Sequence, residues 1–165
     1  MRTASRKVRA ADGAAFGYSE DKLHKLWGKL HHGDREPWPD SKLIARLGKE
    51  NAPFAAWLDA HGGSAVAVPG LRDAWRAFHE GDFPAAITLG SELGPLGAVV
   101  ANKAAGIYAV YGRRSAAQRI ELLEAAAKRG EAAVKLLPDH ANVQYMLALV
   151  LGRYSQDISI IKAAT

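Results

Sequence analysis

Residues 74–93 read AWRAFHEGDFPAAITLGSEL, and the order of breakers and apolar positions in this stretch decides the fold. Leu71, Trp75 and Phe78 fall at i, i+4 and i+7, the stripe of a helix that ends just after them. Gly81 permits a sharp reversal, Asp82 offers a side-chain acceptor to the amides that open a helix, and Pro84 suits a first helical turn. Ala86, Ile87 and Leu93 then mark the face of a second helix, and the small Ala74 and Ala86 let the two backbones approach. The stretch is a helix, a tight turn and a returning helix.

The pattern continues in both directions. Gly94-Pro95-Leu96-Gly97 breaks the second helix, and a third is expected over residues 98–111 with Val100, Ile107, Tyr108 and Tyr111 on its stripe. After Gly112-Arg113-Arg114, Ser115 and Gln118 have the spacing of a capping box. They open a long helix through Ile120, Leu123, Ala127, Val134 and Leu137, which Pro138 stops. A further helix is expected over 141–151, a turn at Gly152-Arg153-Tyr154, and a last short helix from Ser155 to Ala164. On the N-terminal side, Ser19 heads a helix with Leu23, Leu26, Trp27 and Leu30 on one face, ended by Gly33. Glu36-Pro37-Trp38-Pro39 is non-helical and leads to a helix capped by Asp40 or Ser41, carrying Leu43, Ile44 and Leu47. Pro53 begins a third short helix with Phe54, Trp57 and Leu58. No segment alternates with period two, so the chain reads as all-α, with 19–63 an N-terminal helical segment and 64–165 a set of paired helices.

Composition agrees. The chain has 165 residues, 48% apolar and 24% charged, which is ordinary for a globular domain. The longest apolar run, residues 145–151, is far short of the roughly 20 residues of a membrane helix. There is no cysteine, hence no disulfide, thiolate metal site or cysteine nucleophile. The net charge of +5 is local: Arg2, Arg6, Lys7 and Arg9 account for four of it and leave +1 for residues 11–165. Residues 1–18 therefore read as a basic, flexible tail. Residues 10–18 contain an aspartate and two glycines in place of an apolar signal core, which makes the cytoplasm the expected compartment.

Glycines at expected turns recur at 81, 112 and 152, spacings of 31 and 40 that bracket the tetratricopeptide period of about 34 residues. Gly81-Asp82-Phe83 followed by Ala86 and Ile87 resembles the turn of that family, which carries Gly-Asp-Tyr there. Ala133, Leu136 and Pro138 resemble its helix-end pattern, and Tyr145, Leu147, Ala148 and Leu151 resemble the first helix of a third unit. The second unit carries about six extra residues, and Gly112-Arg113 lacks the aspartate, so the repeats are degenerate. The leader from Trp27 through Leu30, His31, Gly33, Asp34, Glu36, Pro37 and Pro39 resembles that of a bacterial group of tetratricopeptide-like proteins. The resemblance implies a short right-handed stack of helix pairs whose first helices line a groove. Such a groove takes a peptide or a partner helix, and Arg76, His79, Asn102, Lys103, Gln144 and Tyr145 are its candidate wall.

Chemistry of other kinds finds little support in the residues. His24, His31, His32 and Asp34 lack a chelating spacing, since His24 and His31 stand two turns apart, and the histidines read as solvated. No Gly-x-Ser-x-Gly or phosphate loop occurs, and Glu121, Glu124 and Lys128 read as a solvated helix face. The expectation is a non-enzymatic adaptor with no cofactor and no metal. Trp27, Trp57 and Trp75 are expected in the core, and Trp38, pinned by Pro37 and Pro39, as a seal between helices. Ile158, Ile160 and Ile161 span more than one face near the C-terminus, so Ile158 and Ile161 are candidates for self-association or a protein partner. The alternative is binding to RNA or an anionic surface through the basic tail, aided by Arg113, Arg114 and Arg119.

Every capped, periodic segment lies after Ser19. Deletion of residues 1–15 is therefore expected to leave a helical far-UV spectrum and one cooperative thermal transition. Loss of that transition would make the tail structural.

Overall fold

The computed structural model describes residues 17–163, and among these the chain forms eight helices and no strand. They are α1 (Glu20–Leu30), α2 (Ser41–Glu50), α3 (Ala52–Ala60), α4 (Gly63–His79), α5 (Phe83–Glu92), α6 (Gly94–Tyr111), α7 (Ala116–Leu136) and α8 (Ala141–Ala163). The cationic residues Arg2, Arg6, Lys7 and Arg9, and the chain end at Ala164, lie outside the described residues. No described helix is long and apolar enough to cross a membrane.

The helix starts follow from the caps. Ser19 accepts from the Lys22 amide at 3.3 Å, Asp40 from Leu43 at 2.8 Å and Asp82 from Ala85 at 3.1 Å. Ser115 and Gln118 close a reciprocal capping box at 3.2 and 3.0 Å. Each such bond satisfies an amide that the first helical turn leaves without a partner.

Two local expectations, at Gly152 and Tyr111, are corrected, and α4 is longer than its apolar stripe. Helix α4 begins at Gly63 and runs through Pro69, because Ala67 and Val68 are buried and hold the turn that Pro69 weakens. The reversal occurs at its N-terminus, at the cap Gly62 with φ +90° and the first helical residue Gly63 with φ +64°. Helix α8 is continuous through Gly152. An exposed glycine costs a helix only about 1 kcal/mol, while Val150 and Tyr154 on either side pack on Leu123, Ala126 and Ala127. Tyr111, expected on the α6 stripe, is 80% exposed at the end of that helix.

From α4 onward each helix packs on the next, and α4 also touches α6 while α6 touches α8. Small residues set these distances. A Cβ on Gly97 would come 1.9 Å from the carbonyl oxygen of Gly90, so α5 and α6 meet backbone to backbone. Gly97, read from sequence as part of a break, is thus a contact residue within α6; the break itself is at Gly94, whose φ is +55°. Helix α6 is the centre of the stack: it is buried without interruption from Pro95 to Asn102, and again at Ala104, Ala105, Gly106 and Ala109. Helices α1, α2 and α3 all pack on α4.

Trp27 and Trp75 are buried, and Trp57 is half-buried against Gly94. Trp38 fills the expected seam: its ring stacks on His24 at 4.4 Å, meets Trp27 edge-on at 5.0 Å and lies under the Arg72 guanidinium at 5.0 Å. Trp75, 1% exposed, meets Trp27 edge-on at 5.5 Å and Phe78 at 5.4 Å, joining α1 to α4. Trp75→Ala is therefore expected to cost about 3–5 kcal/mol in denaturant unfolding, the range for a large aromatic removed from a core. A loss below about 1 kcal/mol would place the indole outside the cooperative core.

Candidate functional site

Helix α1 ends under Trp27, and the chain turns away through residues 31–40 before α2. His31 donates its amide to Trp27 O at 2.9 Å, and Arg35 takes the left-handed φ of +50° that completes the reversal. Lying i+4 from Trp27, His31 continues the apolar stripe and is only 2% exposed, its ring 4.0 Å from the indole. The expectation of a solvated His31 is corrected by that register. His24 and His32 are exposed, and no group of three or more metal-ligating side chains forms among the described residues.

Buried, His31 finds both hydrogen bonds inside the protein. Nδ1 meets Asp34 Oδ1 at 3.0 Å and Nε2 meets Nε2 of His79 on α4 at 3.0 Å. Asp34 also pairs with Lys103 on α6, whose ammonium lies over the rings of Trp75 at 5.6 Å and Phe78 at 5.4 Å. Glu36, two residues on, accepts from the Asn142 amide on α8, while its carbonyl accepts from Trp27 Nε1 at 2.7 Å. One turn thus fastens the end of α1 to α4, α6 and α8.

Burial governs the protonation of this cluster. It pushes Glu36 up to about 7, against the stabilising Asn142 bond. It pushes His79 down to about 4, with the His31 and Lys103 charges acting in the same direction. His31 is also lowered, chiefly by burial, although the Asp34 carboxylate opposes this. For Asp34, burial acts upward but is outweighed by the hydrogen bonds and charges of Lys103 and His31, which hold it below the usual carboxylate range.

The front of this polar cluster is the wall of a groove of about 550 Å³ between α6, α8 and the end of α1. Leu30, Ile107, Met146 and Leu149 provide apolar lining, and Asp34, Lys103, Asn142, Tyr145 and Arg153 the polar groups. Asn142 and Arg153 stand roughly 16 Å apart along α8 at 1.5 Å per residue, so they mark two separated polar regions. Arg153 makes no ion pair among the described residues, and Tyr145 is 55% exposed.

Of the six wall candidates, Lys103 and Tyr145 line the groove, and His79 lies behind it against His31. Asn102 is buried, donating to Ala126 O at 3.0 Å and accepting from Arg129 Nε at 2.8 Å, a bolt between α6 and α7. Arg76 pairs with Asp73 on its own helix, and Gln144 donates to the Pro138 carbonyl. Asp34, Glu36, Asn142 and Arg153 complete the site without having been picked out as wall residues. Of the other candidates, Arg114 lies over the Tyr108 ring at 4.0 Å and Arg119 pairs with Asp157 through two contacts at 3.3 Å. Ile158 is half-buried, and the Ile161 side chain lies outside the described residues.

Compared with protein-family models, curated proteins and solved structures, the chain matches none.

Glu36 gives the site a testable pH signature. The folded state holds the Glu36 proton up to about pH 7, whereas the unfolded state releases it near 4.5. The stability this group contributes is therefore full below 4.5 and is lost as pH rises through 7. Glu36→Gln keeps an acceptor for Asn142 and removes the titration. Its stability relative to wild type is expected to rise by about 3 kcal/mol across that window in urea unfolding. A constant difference between the two proteins would show that Glu36 is ionised at no cost.

Proposed function

We propose that this chain is a non-enzymatic binding module, a tetratricopeptide-like adaptor that holds a short segment of a partner protein in the groove between α6 and α8. The observation that carries the reading is the groove itself: an apolar lining of Leu30, Ile107, Met146 and Leu149 between separated polar regions. Its volume lies within the range of about 300–1,000 Å³ of sites that enclose small ligands and side chains. The serial packing of α4 to α8, with α4 on α6 and α6 on α8, supports the helical-repeat reading, because first helices of successive units stack in this way.

Charge selects the occupant. Lys103 is already neutralised by Asp34, whereas Arg153 forms no ion pair among the described residues, Asp157 one turn on being paired with Arg119. The segment that fits places an apolar side chain on Leu149 and Met146 and an acidic group at Arg153. The Tyr145 ring at the rim adds amphipathic contact area.

Selection from a displayed library of short random peptides tests this reading. Enriched peptides are expected to pair apolar with acidic positions, to lose at least about tenfold in affinity against Leu149→Lys, a change of about 1.4 kcal/mol, and to bind Val66→Lys normally. Peptides that bind Leu149→Lys as well as wild type would remove the groove from the function. A steep fall in affinity between low and moderate salt would assign the binding to the cations of the N-terminal tail instead.

A further inference from the structure

The contact between the α1 end and α4 runs through one bond whose chemistry limits how many protons it can hold. His31 uses Nδ1 toward Asp34, so a neutral His31 presents the lone pair of Nε2 to His79 Nε2, 3.0 Å away, and His79 donates. One added proton is accommodated, because a tautomer change in His79 still leaves a single hydrogen between the rings. Two added protons are not: two N–H groups then face each other at this distance, and two cations meet in a buried site. We propose that the His31–His79 pair is a proton-operated latch, in which double protonation releases residues 17–40 from α4, opens the Asp34 wall of the groove and leaves α4 to α8 folded.

The placement of the pair supports this division. The neighbour of α1 in the packing is α4, while α5 to α8 are held to one another by their own buried faces. The remaining polar ties of residues 17–40 to α4 are the Tyr18 amide to Glu80 at 3.0 Å, and Arg72, which reaches the Pro39 carbonyl at 2.9 Å and pairs with Glu20. The titratable and charged groups facing the pair are Asp34 and Glu36 from the turn, Lys103 from α6, and Tyr18 and Glu80 beside His79. Asp34 favours protonation of the pair, and Lys103 opposes it.

The sign follows from which state binds more protons. A released histidine titrates near 6.5 and the closed His79 near 4, so the closed contact weakens as pH falls through that interval. Glu36 acts in the opposite sense, because it gains a proton on closing between 4.5 and about 7. The two offset each other until Glu36 is protonated in both states, and release sets in below about pH 4.5. The latch stands independently of what the groove binds.

Amide hydrogen exchange on the full chain over a pH series tests it, with α1 and α7 amides read separately. In wild type, α1 protection is expected to fall at least about threefold below about pH 4.5, from the interval between the Glu36 and His79 transitions, while α7 keeps its protection. His79→Gln, whose amide donates to His31 without titrating, is expected to move the onset down. Glu36→Gln, lacking the offsetting proton, is expected to move it up. An unchanged onset in His79→Gln would overturn the proposal, as would α1 and α7 losing protection together in all three proteins. Nitrogen-15 histidine spectra provide the second readout: at neutral pH they should show one Nε2-protonated and one Nδ1-protonated ring, and two rings of the same tautomer would overturn the latch equally.

Discussion

An imidazole enclosed by indoles has no water to bond with, and each unmet ring nitrogen would cost about 1–3 kcal/mol. His31 is in that position, between Trp27 and Trp75, with ring centroids at 4.0 and 4.7 Å. Its two partners, Asp34 and His79, are therefore obligatory, and satisfying them dictates the path of the chain between α1 and α2. Asp34 in turn needs a cation and takes Lys103 from α6, while Glu36 takes Asn142 from α8. One buried ring thereby orders a segment that touches three helices of the stack. The groove wall is a by-product of that requirement.

Such a network is a poor source of stability but a strong source of specificity. Replacing buried polar partners with apolar side chains is often neutral or stabilising, whereas removing one partner leaves the other without compensation. Apolar packing alone would let α1 slide on α4, since the indole and phenyl faces of Trp27, Trp75 and Phe78 accept several registers. The His31–His79 bond and the Trp27 Nε1 bond to the Glu36 carbonyl accept one. The same logic holds at the middle of α6, where Asn102, next to Lys103 in the chain, bridges the Ala126 carbonyl and the Arg129 guanidinium of α7.

Features set by local chemistry were legible in the sequence. Ser19, Asp40, Asp82 and Ser115 cap helices because an acceptor beside an open helical turn has one natural use. The role of Pro69 and Gly152 was not legible, because a local penalty of a few kcal/mol or less decides nothing when Ala67 and Val68, or Val150 and Tyr154, are buried on either side. Gly97 is a related case: whether a glycine breaks a helix or lets another backbone touch it depends on the neighbour, here Gly90. In the site, His31 carried a readable signal in its i+4 spacing from Trp27. Asn142 and Arg153 carried none, since their place beside Glu36 and Gly106 follows from how α8 lies across α6.

The polarity of the groove follows from the same ordering. Lys103 is a half-buried cation of the groove wall that lies over two aromatic faces, and an unpaired ammonium there would be a strong site for any anion. Asp34 occupies it from within the chain, as the second function of a carboxylate already required by His31. The groove cation without an ion pair among the described residues is then Arg153, further along α8 from the aromatic cluster and beside Gly106, where the absent side chain leaves room for the guanidinium stem. Any ligand that competed for Lys103 would have to displace Asp34 and so leave the His31 Nδ1 bond unmet. Occupancy at that end of the groove is consequently coupled to the attachment of α1, whereas occupancy at Arg153 is not.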